Sequence, residues 1–126
     1  MAIVCVHHVN ISTDRFTETC DFYCNVLNLS RGWRPPFRSR GAWLYAGDIP
    51  IVHVNEVSTP KRASAECALD HYAFLIDDHA AAKQRLDSAN IVYREAAVPE
   101  TSIRQILLHD PNGVAIELQC PVAEPQ

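Results

Sequence analysis

Four residues of this chain are of types that ligate transition metals and stand at matched places: His8, His53, His71 and Glu117. His8 opens the run His8-Val9-Asn10-Ile11-Ser12-Thr13-Asp14, and His71 opens His71-Tyr72-Ala73-Phe74-Leu75-Ile76-Asp77. In both, a His leads an apolar stretch and an Asp follows six residues on; His71 lies 63 residues after His8. His53 sits in Asp48-Ile49-Pro50-Ile51-Val52-His53-Val54, and Glu117 in Asn112-Gly113-Val114-Ala115-Ile116-Glu117-Leu118, 64 residues later. One residue of slippage over such a span marks two copies of one unit. A single His on a strand is more often a hydrogen-bonded structural residue than a ligand. A His or Glu at both ends of both copies is a pattern. Three imidazoles and a carboxylate suit Zn, Ni, Co, Mn or Fe and disfavour Mg and Ca, which prefer oxygen. One divalent transition metal held by His8, His53, His71 and Glu117 is the expectation.

The elements that must position these residues read as βαβββ, twice. In the first copy a Val- and Ile-rich strand covers 3–10 and a helix runs from Asp14 to Leu27, with Phe16, Cys20, Tyr23 and Leu27 on one face. Asn28 or Gly32 ends it. Strands follow near 31–34, 41–47 and 50–57. The second copy predicts a strand near 69–76, a helix from Asp78 to Ala89 with Ala82, Leu86 and Ala89 as its apolar stripe, and strands near 91–96, 103–109 and 113–120. Asp110-Pro111-Asn112-Gly113 turns the last hairpin. The expected fold class is α+β: two βαβββ modules whose curved mixed sheets form a cleft, with module one at 3–57, a linker at 58–66, module two at 67–120 and a tail at 121–126. Side chains alternate along a strand, so Val6 and Asn10 share the face of His8 while His7 takes the other. Equivalent places in the repeat bring the four candidate ligands to one point. His7, His79 and His109 fall outside the pattern and read as surface or structural. Neither copy covers both faces of its own sheet, so the sheets pair within the chain or with a second chain, and a homodimer is expected.

Composition sets outer bounds. With 126 residues, 48% apolar and 21% charged, the chain fits one globular domain. A net charge of -4 argues against a nucleic-acid partner. No apolar run reaches membrane-spanning length, and the start of the chain lacks the basic and apolar regions of a signal peptide, so no membrane partner and a cytoplasmic location are expected. The five cysteines are odd in number and form no C-x-x-C pair, which argues against a disulfide framework; Cys20 and Cys24 read as small buried hydrophobes. Arg31, Arg34, Arg38 and Arg40 cluster with Trp33 and Phe37 within ten residues. Arginine clamps carboxylate or phosphate with two parallel bonds, so this stretch is a candidate mouth for a substrate pocket, with Arg38 as its contact. Trp43 and Tyr45 alternate along the next strand, and Gln105 shares a face with Leu107; these complete the candidate substrate-binding set.

The segments His8-Val9-Asn10-Ile11, Phe22-Tyr23-Cys24-Asn25-Val26-Leu27-Asn28-Leu29, Gly47-Asp48-Ile49-Pro50-Ile51-Val52-His53 and Asp110-Pro111-Asn112-Gly113-Val114-Ala115-Ile116-Glu117 resemble the vicinal oxygen chelate superfamily. That group includes glyoxalase I, methylmalonyl-CoA epimerase, fosfomycin-resistance transferases, bleomycin-resistance proteins and extradiol dioxygenases, and the resemblance covers nearly the whole chain. It implies paired βαβββ modules, a metal in the cleft and often a dimer. His8, His71 and Glu117 match the family's most regular ligands. His53 stands where glyoxalase I has Glu and the epimerase has Gln, which leaves Glu117 as the one carboxylate, both ligand and catalytic proton carrier. The implied activity is a metal-dependent enzyme, lyase- or isomerase-like, acting on a small oxygenated molecule chelated to the metal. Two alternatives stay open. One is an extradiol-type dioxygenase using His8, His71 and Glu117 as a 2-His-1-carboxylate iron face, with His53 standing back. The other is a resistance protein that binds a ligand without chemistry.

Overall fold

A computed structural model describes residues 1–121; residues 122–126, which fall in the expected tail, lie outside the described residues. The chain divides into two compact units, Met1–Lys61 and Arg62–Gln126. Each repeats the same plan, and the fold is the α+β pair of βαβββ modules that the sequence predicts.

In the first unit, β1 (Val9–Thr13) leads to a helix α1 (Phe16–Asp21), then β2 (Ser30–Gly32), β3 (Gly41–Ala46) and β4 (Ile49–Glu56). The sheet order is β1-β4-β3-β2, with β1 parallel to β4 and the other neighbours antiparallel. Alternation assigns the faces. Ala42 and Leu44 on β3 and Val52 and Val54 on β4 are buried, and α1 packs on β3 and β4 through Phe16 and Cys20. Burying a side chain such as Leu44 stabilises the sheet by about 2 kcal/mol. The face opposite Val52 and Val54 carries His53.

Two features differ from expectation. The predicted helix over 14–27 is an α-helix only to Asp21; Phe22–Val26 winds as a π-turn, in which the Leu27 amide donates to the Phe22 carbonyl at 3.2 Å. The wider turn lets the adjacent rings Phe22 and Tyr23 both be buried. Asn28, at φ 63°, then stops the helix in the left-handed conformation that Asn tolerates. The first strand starts at Val9 rather than residue 3, and Ile3, Val4 and Val6 are exposed. The register supplies the reason. Val9 pairs with Val52, so extending the ladder backwards would set His7 against Pro50, which has no N–H to donate. His7 therefore does not take the opposite face from His8; their Nδ1 atoms lie 2.9 Å apart.

The second unit holds a short 3₁₀ turn (Ser64–Glu66), β5 (Tyr72–Leu75), α2 (His79–Ser88), β6 (Arg94–Ala97), β7 (Ile103–His109) and β8 (Ala115–Pro121). Its sheet order, β5-β8-β7-β6, repeats the first, again with the outer strand parallel to the last. Asp78 caps α2 by accepting from the Ala81 amide at 2.9 Å, a bond typically worth about 1 kcal/mol. Leu86 is the fully buried residue of that helix, and Ile106, Leu108, Ile116 and Leu118 supply the buried sheet face. At the β7–β8 turn, Asp110 Oδ1 accepts from the amides of Asn112 and Val114 at 2.8 and 2.9 Å. Gly113 is required there twice over: its φ is 78°, and a Cβ would fall 2.8 Å from that of Ala63. Ser64 is bound to this turn, receiving on its hydroxyl the Ala115 N–H at 2.9 Å. Among the described residues no helix is long and apolar enough to cross a membrane.

Candidate metal centre

The repeat is carried into the strand register. Asn10 pairs with His53 as Ala73 pairs with Glu117, and Trp43 pairs with His53 as Leu107 pairs with Glu117. Each unit thus places one candidate ligand on its last strand and a His just ahead of its first.

In the first unit His53 is 8% exposed and lies between two rings. His8 stacks on it with centroids 3.9 Å apart, and Trp43 stacks on it with centroids 4.3 Å apart, both nearly parallel. Burial holds the His53 pKa below the ordinary imidazole value, and the charges of His8, His7 and Arg34 act the same way; a hydrogen bond to the Pro50 backbone opposes them. The ring is therefore neutral near pH 7. Its Nε2 is buried with no hydrogen-bond partner. An orphaned buried nitrogen of this kind keeps its lone pair free for a ligand bond.

In the second unit the same positions are held by charge. His71 Nε2 lies 3.2 Å from Glu117 Oε2, and His71 Nδ1 lies 2.6 Å from Asp70 Oδ2. The hydrogen bond to Asp70 is the main reason that the His71 pKa is raised; burial opposes it and the Glu117 and Asp70 charges add to it. Glu117 is buried, and Gln105 donates from Nε2 to its Oε1 at 2.7 Å. The result is a chain, Asp70–His71–Glu117–Gln105, in which one carboxylate oxygen is pinned and the other faces the imidazole. The structure brings His8 to His53 and His71 to Glu117, and among the described residues no three ligating side chains gather into a group that could hold a metal.

Of the candidate substrate contacts, Trp43 lines an open pocket of about 280 Å³ in the first unit, together with His53, Asn10, Asn55 and Arg34. Tyr45 lies outside that lining and donates its hydroxyl to the Trp33 carbonyl at 2.7 Å. Arg38 is exposed and also outside it; Arg34, from the same cluster, occupies the pocket. Gln105 spends its amide on Glu117. Sequence reasoning did not single out Asp70, though its place directly before His71 was a usable signal. It also passed over the Asn10–Asn55 pair, bonded at 2.6 Å, whose residues are far apart in sequence. Cys20 and Cys24 are buried and half-buried, and burial raises both thiols above their ordinary range.

The model of the glyoxalase/bleomycin resistance protein/dioxygenase superfamily matches residues 6–118, a span that includes all four candidate ligands. The chain belongs to this superfamily. It is 31% identical over 122 residues to the uncharacterized protein YaeR of Escherichia coli K12, covering 90% of this chain and 93% of that protein. It is 28% identical over 120 residues to glyoxylase I 4 of Arabidopsis thaliana, covering 90% and 68%. Among solved structures, a variant of the fosfomycin resistance protein FosX of Listeria monocytogenes matches with a TM-score of 0.75 at 15% identity, over 97% of this chain and 95% of that one. That FosX structure holds Mn(II) and 1S,2S-dihydroxypropylphosphonic acid. Members of the superfamily are generally enzymes.

Proposed function

We propose that this superfamily member is a metal-dependent enzyme, lyase- or isomerase-like, acting on a small oxygenated molecule through one divalent metal held by His8, His53, His71 and Glu117. The observation that carries the reading is His53 Nε2, neutral, buried and without a protein partner. The donor set fits: three imidazoles and one carboxylate match a first-row metal, among which Zn, Ni, Co, Mn and Fe are the candidates. Bound there, such an ion supplies a Lewis acid for neighbouring oxygens of the substrate. The Mn(II) in the FosX structure is in keeping with a metal on this fold.

The chain's own residues divide the remaining work. Asp70 fixes the tautomer and orientation of His71, leaving Nε2 to ligate. Gln105 holds Glu117 Oε1, so Oε2 is the oxygen left to ligate or to carry a proton. Trp43 covers His53 and keeps water from its ring. Five free cysteines suit a reducing, cytoplasmic setting. The test is activity before and after chelation, with each candidate metal restored in turn, on the methylglyoxal–glutathione adduct, catechols and fosfomycin. Turnover that disappears with the metal and returns with one of them is expected. Turnover that survives full metal removal would overturn the reading.

A further inference from the structure

We infer that the pocket beside His53 is built for a planar carboxylate, so that the substrate of the proposed site is a small carboxylic acid whose charged group rests on Arg34. The inference rests on the reading of His53 as part of the reaction site and names the substrate class for it.

Arg34 Nη1 donates to the Ser39 carbonyl at 3.1 Å and Nη2 to Asn55 Oδ1 at 3.4 Å. Its face lies on the Phe37 ring, 4.8 Å from the guanidinium carbon to the ring centroid. Of five N–H donors these bonds use two, so three remain for a ligand, and the Phe37 contact holds the fork flat while it waits. Gly41 makes room for it: a Cβ there would come within 2.6 Å of Nη2. Arg34 is thus tied down in place, which lowers the entropy lost when it grips an anion.

The surroundings narrow the ligand. No carboxylate lines the pocket; Arg34 is the guanidinium among its lining residues, beside the amides Asn10 and Asn55. A carboxylate is planar and matches the two-pronged fork with two parallel bonds. Trp43 and Phe37, both lining the pocket, contact each other with ring centroids 6.5 Å apart and planes inclined at 51°. Asn55 links Arg34 to Asn10, which also lines the pocket.

The pocket also carries its own reporter. Trp33 and Trp43 are the chain's two tryptophans, and their rings meet edge to face at 6.0 Å, so intrinsic fluorescence reads occupancy directly. The experiment titrates the metal-loaded protein with benzoate, with neutral benzamide and with phenylphosphonate, in wild type and in Arg34→Gln and Arg34→Lys. Metal content and circular dichroism are recorded for each. Benzoate is expected to bind at least tenfold more tightly than benzamide. Arg34→Gln should lower benzoate affinity at least tenfold and leave benzamide unmoved, with Arg34→Lys between and metal content unchanged. Equal binding of benzoate and benzamide, or benzoate binding indifferent to Arg34→Gln in a folded variant, overturns the inference. Phenylphosphonate binding more tightly than benzoate overturns the choice of carboxylate. If the protein proves to hold no metal, the titration still reads Arg34, so the two failures are told apart.

Discussion

The two units of this chain share topology and strand register, yet they hold the imidazoles of their candidate ligands by opposite means. In the first, His53 is sealed between His8 and Trp43, kept neutral by burial and left with an unpartnered Nε2. In the second, His71 is half-exposed and steered by carboxylates at both ring nitrogens. The residues facing the final-strand ligands account for the difference. Trp43 beside His53 offers a ring to stack on, whereas Leu107 beside Glu117 does not, and Gln105 two positions earlier supplies a hydrogen bond instead. A duplicated scaffold conserves the geometry of a strand pair while its two copies solve the desolvation of a polar side chain separately. One excludes water around a neutral ring. The other satisfies a buried carboxylate with donors.

The comparison can be broken most severely at the sealed side. His53→Gln keeps one ligand atom but loses the imidazole, and metal affinity should fall by more than the roughly 10–100-fold that loss of an outer hydrogen-bonding partner costs. Isothermal titration of the chelator-stripped protein measures it. Unchanged affinity with lost turnover would instead make His53 a base. On the charged side, Asp70→Asn should cost less, about tenfold in metal affinity, because it removes the carboxylate that orients His71 and leaves the ligand itself in place. An equal loss from both substitutions would erase the proposed distinction.

The smallest effect is in pH, and there the two imidazoles have opposite signs. His53 has a folded pKa depressed below 6.5, so the native state binds fewer protons than the unfolded chain just below that value. Its neutral burial therefore loses stability as pH falls through this window. His71 has a folded pKa raised above 6.5, so its contribution is complete below 6.5 and is lost as pH rises through the raised value. Urea unfolding of the metal-free protein across both windows should show His53→Gln flattening the acid side and His71→Gln the neutral side. The same slope change from both variants would contradict the assignment.

Much of this architecture was readable from spacing. The offsets of 63 and 64 residues between copies reappear as matched register pairs, because strand alternation and hairpin turns leave few other ways to place a His and a Glu on the same face. The turn at Asp110–Gly113 was equally plain, since Pro111 fixes its φ and Gly113 accepts a positive one. The start of β1 was not, for the apolar alternation of residues 3–8 gives no sign that the facing strand carries Pro50 at the critical register. Nor did periodicity reveal the π-turn, whose signature is the burial of both Phe22 and Tyr23. In the site, Arg34 and Arg38 are indistinguishable by type and loop position. What separates them is the room above Gly41 and the ring of Phe37, both matters of three-dimensional packing.

On the proposed function, the two dissimilar pairs, His8 with His53 and His71 with Glu117, serve one metal. Elemental analysis of the purified protein, of His8→Ala and of His71→Ala, with circular dichroism to verify folding, tests it most directly. The account predicts one divalent transition-metal ion per chain in the wild type and a sharp loss in both variants, since each removes a ligand from the same ion. Two ions per chain, or a full metal complement in folded His71→Ala, would contradict it.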